Sequence, residues 1–141
     1  MTDLDLTVTR TIAASRNRVF DAWLSPVTLA KFMRTPSGGE DARVTNDPVN
    51  GGRFSIVMAT EEREIPHSGT YLAIDPHKHL SFTWESPFSL PESVVTIDFA
   101  EAGPEKTEIT IRQVKFKNES TRDGHVGGWN AILDIFASQL V

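Results

Sequence analysis

After about Ser120 the hydrophobic period of this chain changes, and that single change limits the possible folds more than anything else in its 141 residues. Beyond it, Trp129, Ile132, Leu133, Phe136 and Leu140 recur at steps of three and four, the spacing of an amphipathic helix. A helix from about Thr121 to the end would be on the order of 30 Å long. Before it, apolar residues fall on alternate positions, the spacing of strands with one buried face. Leu4, Leu6, Val8 and Ile12 set the first strand. Phe54, Ile56 and Met58 set another, Leu80, Phe82 and Trp84 a third, Val95, Ile97 and Phe99 a fourth, and Ile109 and Ile111 a fifth.

Short helices interrupt this series once. Ser15 can cap a helix bearing Val19, Phe20, Trp23 and Leu24. Ser25 as cap with Pro26 as first residue then starts a second helix bearing Leu29, Ala30 and Phe32. Thr35 to Asp41 reads as a loop and Asn46 to Gly52 as a turn cluster, with a short strand around Ala42 to Thr45 between them. A longer strand is expected from Glu64 or Ile65 to Ile74, with Pro66 marking a bulge or an edge. Asp75-Pro76-His77-Lys78 is a turn, Pro87 and Pro91 bracket a loop, and Ala102-Gly103-Pro104 joins the last two strands as a hairpin.

Consecutive strands joined by short turns make an antiparallel sheet, and a sheet with one apolar face needs a cover. The last helix is the element long enough to supply it. The expectation is an α+β helix-grip fold: six or seven curved antiparallel strands wrapped around a C-terminal helix, with two short helices after strand one. With no repeat or linker, residues 1–141 are expected to form one domain.

Composition narrows the partners. Apolar residues make up 39% and charged residues 23%, and the net charge is −5. That balance repels phosphate backbones and anionic headgroups, so neither nucleic acid nor membrane insertion is expected. The absence of cysteine excludes disulfides and thiolate chemistry. The N-terminus lacks the order of a signal peptide, which makes the cytoplasm the expected location. No cofactor and no metal is expected, and the sequence is silent on oligomeric state.

Four motifs in order carry a family resemblance: Asn50-Gly51-Gly52-Arg53-Phe54, the run Gly69 to Pro76, Leu80-Ser81-Phe82-Thr83-Trp84, and His125-Val126-Gly127-Gly128-Trp129. Together they resemble single-domain bacterial members of the family named for the activator of the heat-shock protein ATPase, in the START-like, or SRPBCC, superfamily. The resemblance implies a cavity between sheet and C-terminal helix that holds a small hydrophobic molecule. The eukaryotic activator carries a separate chaperone-binding domain for which this chain has no room.

The candidate walls of that cavity are Trp23, Phe32, Phe54, Met58, Tyr71, Trp84 and Trp129, with Met33 able to repack around different guests. The same aromatic residues would equally serve as plain core. Gly124, Gly127 and Gly128 near the start of the last helix leave space or admit a close neighbour. Arg10 interrupts the inward face of strand one, where it would pair a ligand carboxylate or an internal acid, or reach solvent from the end of the strand. Gln113 and His67 are further polar candidates, and His125 shares a helix face with Trp129. His77 and His79 flank Lys78 in a solvated turn. No catalytic residue is assigned: there is no nucleophile elbow, and only His67, His125 and Tyr71 are candidates for acid–base work in a cleft. Binding of a small apolar or amphipathic molecule is the leading reading. An enzyme acting on a small hydrophobic substrate, cyclase-like, and a chaperone or stress-response interaction protein stand as alternatives.

Overall fold

A computed structural model describes residues 4–33, 41–59, 64–86, 92–116 and 118–140. Most of the loop expected from Thr35 to Asp41 and the loop expected from Pro87 to Pro91 lie outside these residues. The element order is β1 (Leu4–Ile12), α1 (Arg16–Ala22), α2 (Pro26–Phe32), β2 (Arg43–Asn46), β3 (Arg53–Ala59), β4 (Glu64–Asp75), β5 (His79–Thr83), β6 (Val94–Gly103), β7 (Lys106–Phe116) and α3 (Glu119–Leu140).

The two short helices begin as their cap residues dictate. The Ser15 hydroxyl accepts from the Arg18 backbone N–H, and the Ser25 hydroxyl from that of Thr28, with Pro26 in the first turn where no N–H is needed. Asn118 caps α3, its side-chain oxygen accepting from the Thr121 N–H at 2.8 Å.

All seven strands form one antiparallel sheet in the order β1-β7-β6-β5-β4-β3-β2, curved and open. Alternation decides which face is buried. Leu6, Val8 and Ile12 on β1, Val95, Ile97 and Phe99 on β6, and Ile109 and Ile111 on β7 all point inward. α3 packs chiefly along β1, while α2 touches both α3 and β2. α2 thus bridges from the gripped helix to the far edge of the sheet, while α1 lies against β6 and β7.

β4 runs unbroken through Pro66, opposite Val57 of β3. The Ser68 N–H bonds across to the Glu85 carbonyl, so the N–H positions two residues apart on that side point away from β3. Pro66 occupies such a position, where its missing N–H costs no bond to β3, and the β3–β4 register runs through it without a shift, so it marks no bulge there. The register shift of β4 falls later, between Tyr71 and Ala73.

Candidate functional site

A hollow opens where the short helices face the sheet. Trp23 at the end of α1, Leu29 and Met33 on and after α2, Phe54 and Ile56 on β3, Tyr71 on β4 and Phe82 on β5 line it. Its cavity volume is about 10 Å³, room for about one water. The surrounding free space, mouth included, is about 240 Å³.

Each wall has a local cause. Phe54 sits opposite Gly69 in the β3–β4 register, and its ring lies across that glycine. A Cβ at Gly69 would stand 2.7 Å from the Phe54 ring and 2.0 Å from the Thr83 carbonyl oxygen. Glycine therefore lets Phe54 lie flat toward Tyr71 and Phe82, both with ring centroids 5.3 Å away. Trp23 separates the hollow from the core beneath α3, packing against Phe32 at 5.0 Å and Phe136 at 5.6 Å. Met33 ends α2 with a conformation outside the helical region, which turns its unbranched side chain into the space.

The polar atoms at the hollow are few. The Asn46 amide nitrogen donates both to the Leu24 carbonyl at 2.9 Å and to the Tyr71 hydroxyl at 3.1 Å. A carbonyl can only accept, so the orientation of that amide is fixed by Leu24. Burial pushes the Tyr71 phenol above its ordinary pKa, against the smaller opposing effect of the Asn46 bond. Tyr71 is thus held protonated near neutrality. Trp23 is 2% exposed, and its indole Nε1 has no hydrogen-bond partner.

Sequence reasoning thus brought Trp23, Phe54, Tyr71 and Met33 to one place, and the structure adds Leu29, Ile56 and Phe82. The other aromatic candidates pack as core. Trp129 donates from Nε1 to the Gln113 side-chain oxygen at 2.9 Å, and Gln113 in turn donates to Ser93. Phe32 stacks on Phe136 at 4.7 Å, and Met58 is buried on β3. Trp84 lies between Trp129 and His67, with centroids at 5.2 and 4.9 Å, and its Nε1 is also without a partner. The space expected beneath α3 is taken by Trp129, Ile132, Leu133 and Phe136, all buried. None of the residues lining the described hollow comes from α3.

The charged and titratable candidates go elsewhere. Arg10 does occupy the inward register of β1, but its guanidinium reaches out to the exposed Asp134 of α3 at 2.6 Å, an ion pair within the protein at its surface. His125 donates from Nδ1 to the Thr121 carbonyl at 2.9 Å and packs on Phe116. Cβ atoms at Gly124, Gly127 and Gly128 would meet nothing within 4 Å, so these glycines admit no close neighbour. His77 contacts Phe20 and Asp21, and His79 bonds Asp98 at 2.7 Å, as befits a turn at the surface. His67 is buried on β4 with Nδ1 unpartnered, and desolvation lowers its pKa to about 4. Among the described residues no cluster of three or more histidines and carboxylates could hold a metal. No helix there is long and apolar enough to cross a membrane.

The order of elements and the gripped helix match a known family. The model of the family described as Activator of Hsp90 ATPase homolog 1-like protein matches residues 13–140. The chain belongs to that family. Its fold is the START-like one, generally a ligand-binding architecture. Among solved structures, protein CV1439 from Chromobacterium violaceum is similar at 18% identity and a TM-score of 0.80, with 96% of each chain covered. Mll3558 from Rhizobium loti is similar at 21% identity and 0.80, covering 98% of this chain and 97% of that one. NE0264 from Nitrosomonas europaea is similar at 24% identity and 0.74, covering 96% and 92%. At such identities the likeness establishes the fold and no more. No curated protein matches the chain.

Proposed function

We propose that this protein binds a small, uncharged apolar molecule in the hollow between α1, α2 and strands β3 to β5. The observation that carries the reading is the lining itself: among the described residues, seven apolar or aromatic side chains, with one hydroxyl among them and no charge. Such a composition removes apolar surface from water and offers few groups that would have to be desolvated. The family's fold, generally a ligand-binding one, points the same way.

The enclosed room is that of about one water, far below the about 300–1,000 Å³ of pockets for drug-sized molecules, so a guest enters only as the hollow widens from its mouth. A larger guest requires Met33 to change rotamer, which its flexible thioether chain does at little cost. Among the described lining residues the titratable group is Tyr71, which is held protonated and supplies no base for chemistry. The site therefore holds and orients.

Native mass spectrometry of protein purified without detergent, followed by thermal shifts with fatty acids, aromatics and polyketides, tests the proposal. The expected result is a bound species or a rise in Tm with one apolar class. A bare mass and no shift with any class would contradict it.

A further inference from the structure

We infer that the hollow selects uncharged apolar molecules bearing a hydrogen-bond acceptor, a carbonyl above all, through two unused donors in its wall, Trp23 Nε1–H and Tyr71 Oη–H. This rests on the binding reading above and specifies the chemistry of the guest.

Trp23 lines the hollow, is almost fully buried, and carries an indole N–H without a partner. Indole nitrogen donates only. A buried donor left unmet disfavours the empty protein, and an acceptor on the guest removes that penalty. Tyr71 adds a second donor. Its oxygen already accepts from Asn46, whose nitrogen is held in place by the Leu24 carbonyl. The Tyr71 hydroxyl hydrogen is therefore available to another acceptor.

The same wall is poor in acceptors. Beyond the Tyr71 oxygen, its described side chains offer the weakly accepting Met33 sulfur. A guest whose polar group is a donor would enter without a good partner. A carboxylate would lose its hydration and find no cation among the described lining residues, Arg10 being paired with Asp134 instead. A carbonyl on an apolar body meets both conditions: it accepts, and it carries no charge.

The test uses acetophenone, its hydrocarbon counterpart ethylbenzene, and benzoate. Each is titrated into ¹⁵N-labelled protein while the indole N–H signals of the three tryptophans are followed. The indole signal missing from a Trp23→Phe spectrum is expected to move downfield with acetophenone and not with ethylbenzene, and benzoate is expected to bind weakest. Trp23→Phe should lower the preference for acetophenone over ethylbenzene about fivefold, the effect of about one net hydrogen bond. Tyr71→Phe should lower it in the same direction, and serves if the tryptophan variant does not fold.

Equal ethylbenzene-to-acetophenone ratios in wild type and variants would overturn the inference and leave apolar binding intact. Preferential benzoate binding, or a downfield shift confined to another indole, would also overturn it. Binding of none of the three probes would remove both the inference and the reading beneath it.

Discussion

Acidification from pH 7 to pH 4.5 is expected to destabilise the fold by about 2.5 kcal/mol through one side chain, His67. The ring is 8% exposed, tilts against Trp84 at 4.9 Å, and has its Nδ1 without a partner. Desolvation is the main reason its pKa drops from 6.5 to about 4, and the charge of His125 is the smallest of the causes. The unfolded chain, with an ordinary histidine pKa, takes up the proton first. Protonation therefore favours unfolding, so this stability is complete above about pH 6.5 and is lost as the pH falls toward 4. With those two pKa values the loss is about 1.4 kcal/mol at pH 5.5 and about 2.5 kcal/mol at pH 4.5.

Urea unfolding at pH 7, 5.5 and 4.5, on the wild type and on His67→Leu, isolates this contribution. The Glu85 carboxylate, depressed by its bond to Arg53, also titrates at low pH but does so in both proteins. The variant should lose less stability on acidification, by the amounts given. Parallel pH profiles, agreeing within about 0.5 kcal/mol at pH 4.5, would refute the reasoning.

Other substitutions separate open positions from closed ones. Gly128→Ala places a methyl group where nothing lies within 4 Å and should stabilise the protein by about 0.5–1 kcal/mol in urea melts. Gly69→Ala should instead destabilise strongly or prevent folding, because its methyl would collide with the Thr83 carbonyl and the Phe54 ring. Trp129→Phe strips the donor from the buried Gln113 oxygen and should cost about 1–3 kcal/mol by chemical denaturation. Phe32→Ala empties a fully buried site between Trp23 and Phe136 and should cost about 3–5 kcal/mol, read as a fall in Tm.

Much of this fold was legible because its signals are local. The serine caps of α1 and α2, the alternation on β1, β3, β5, β6 and β7 and the period of α3 each depend on a few neighbouring residues. Pro66 was legible as an edge or a bulge, but choosing between them needed the neighbouring strands. The candidate site was legible only in part. Inward aromatic residues look alike in sequence whether they fill a core or bound a space. Trp129 and Trp23 differ because Gln113, sixteen residues from one of them, closes the first and leaves the second open. Leu29 and Phe82 sat on inward faces without any mark of a wall. Asn46, which fixes Tyr71, looked like the start of a turn. The location of the hollow depends on how α2 spans from α3 to β2 while α1 packs on β6 and β7, a relation between segments far apart in sequence.

The central claim is that an apolar guest sits among Trp23, Met33, Phe54 and Tyr71. Intermolecular nuclear Overhauser effects between bound ethylbenzene and methyl-labelled protein test it most directly. The expected contacts are to the Met33 ε-methyl and the Leu29 methyl groups. Contacts confined to the exposed Val27, Val49 or Leu72, with none to Met33 or Leu29, would contradict it.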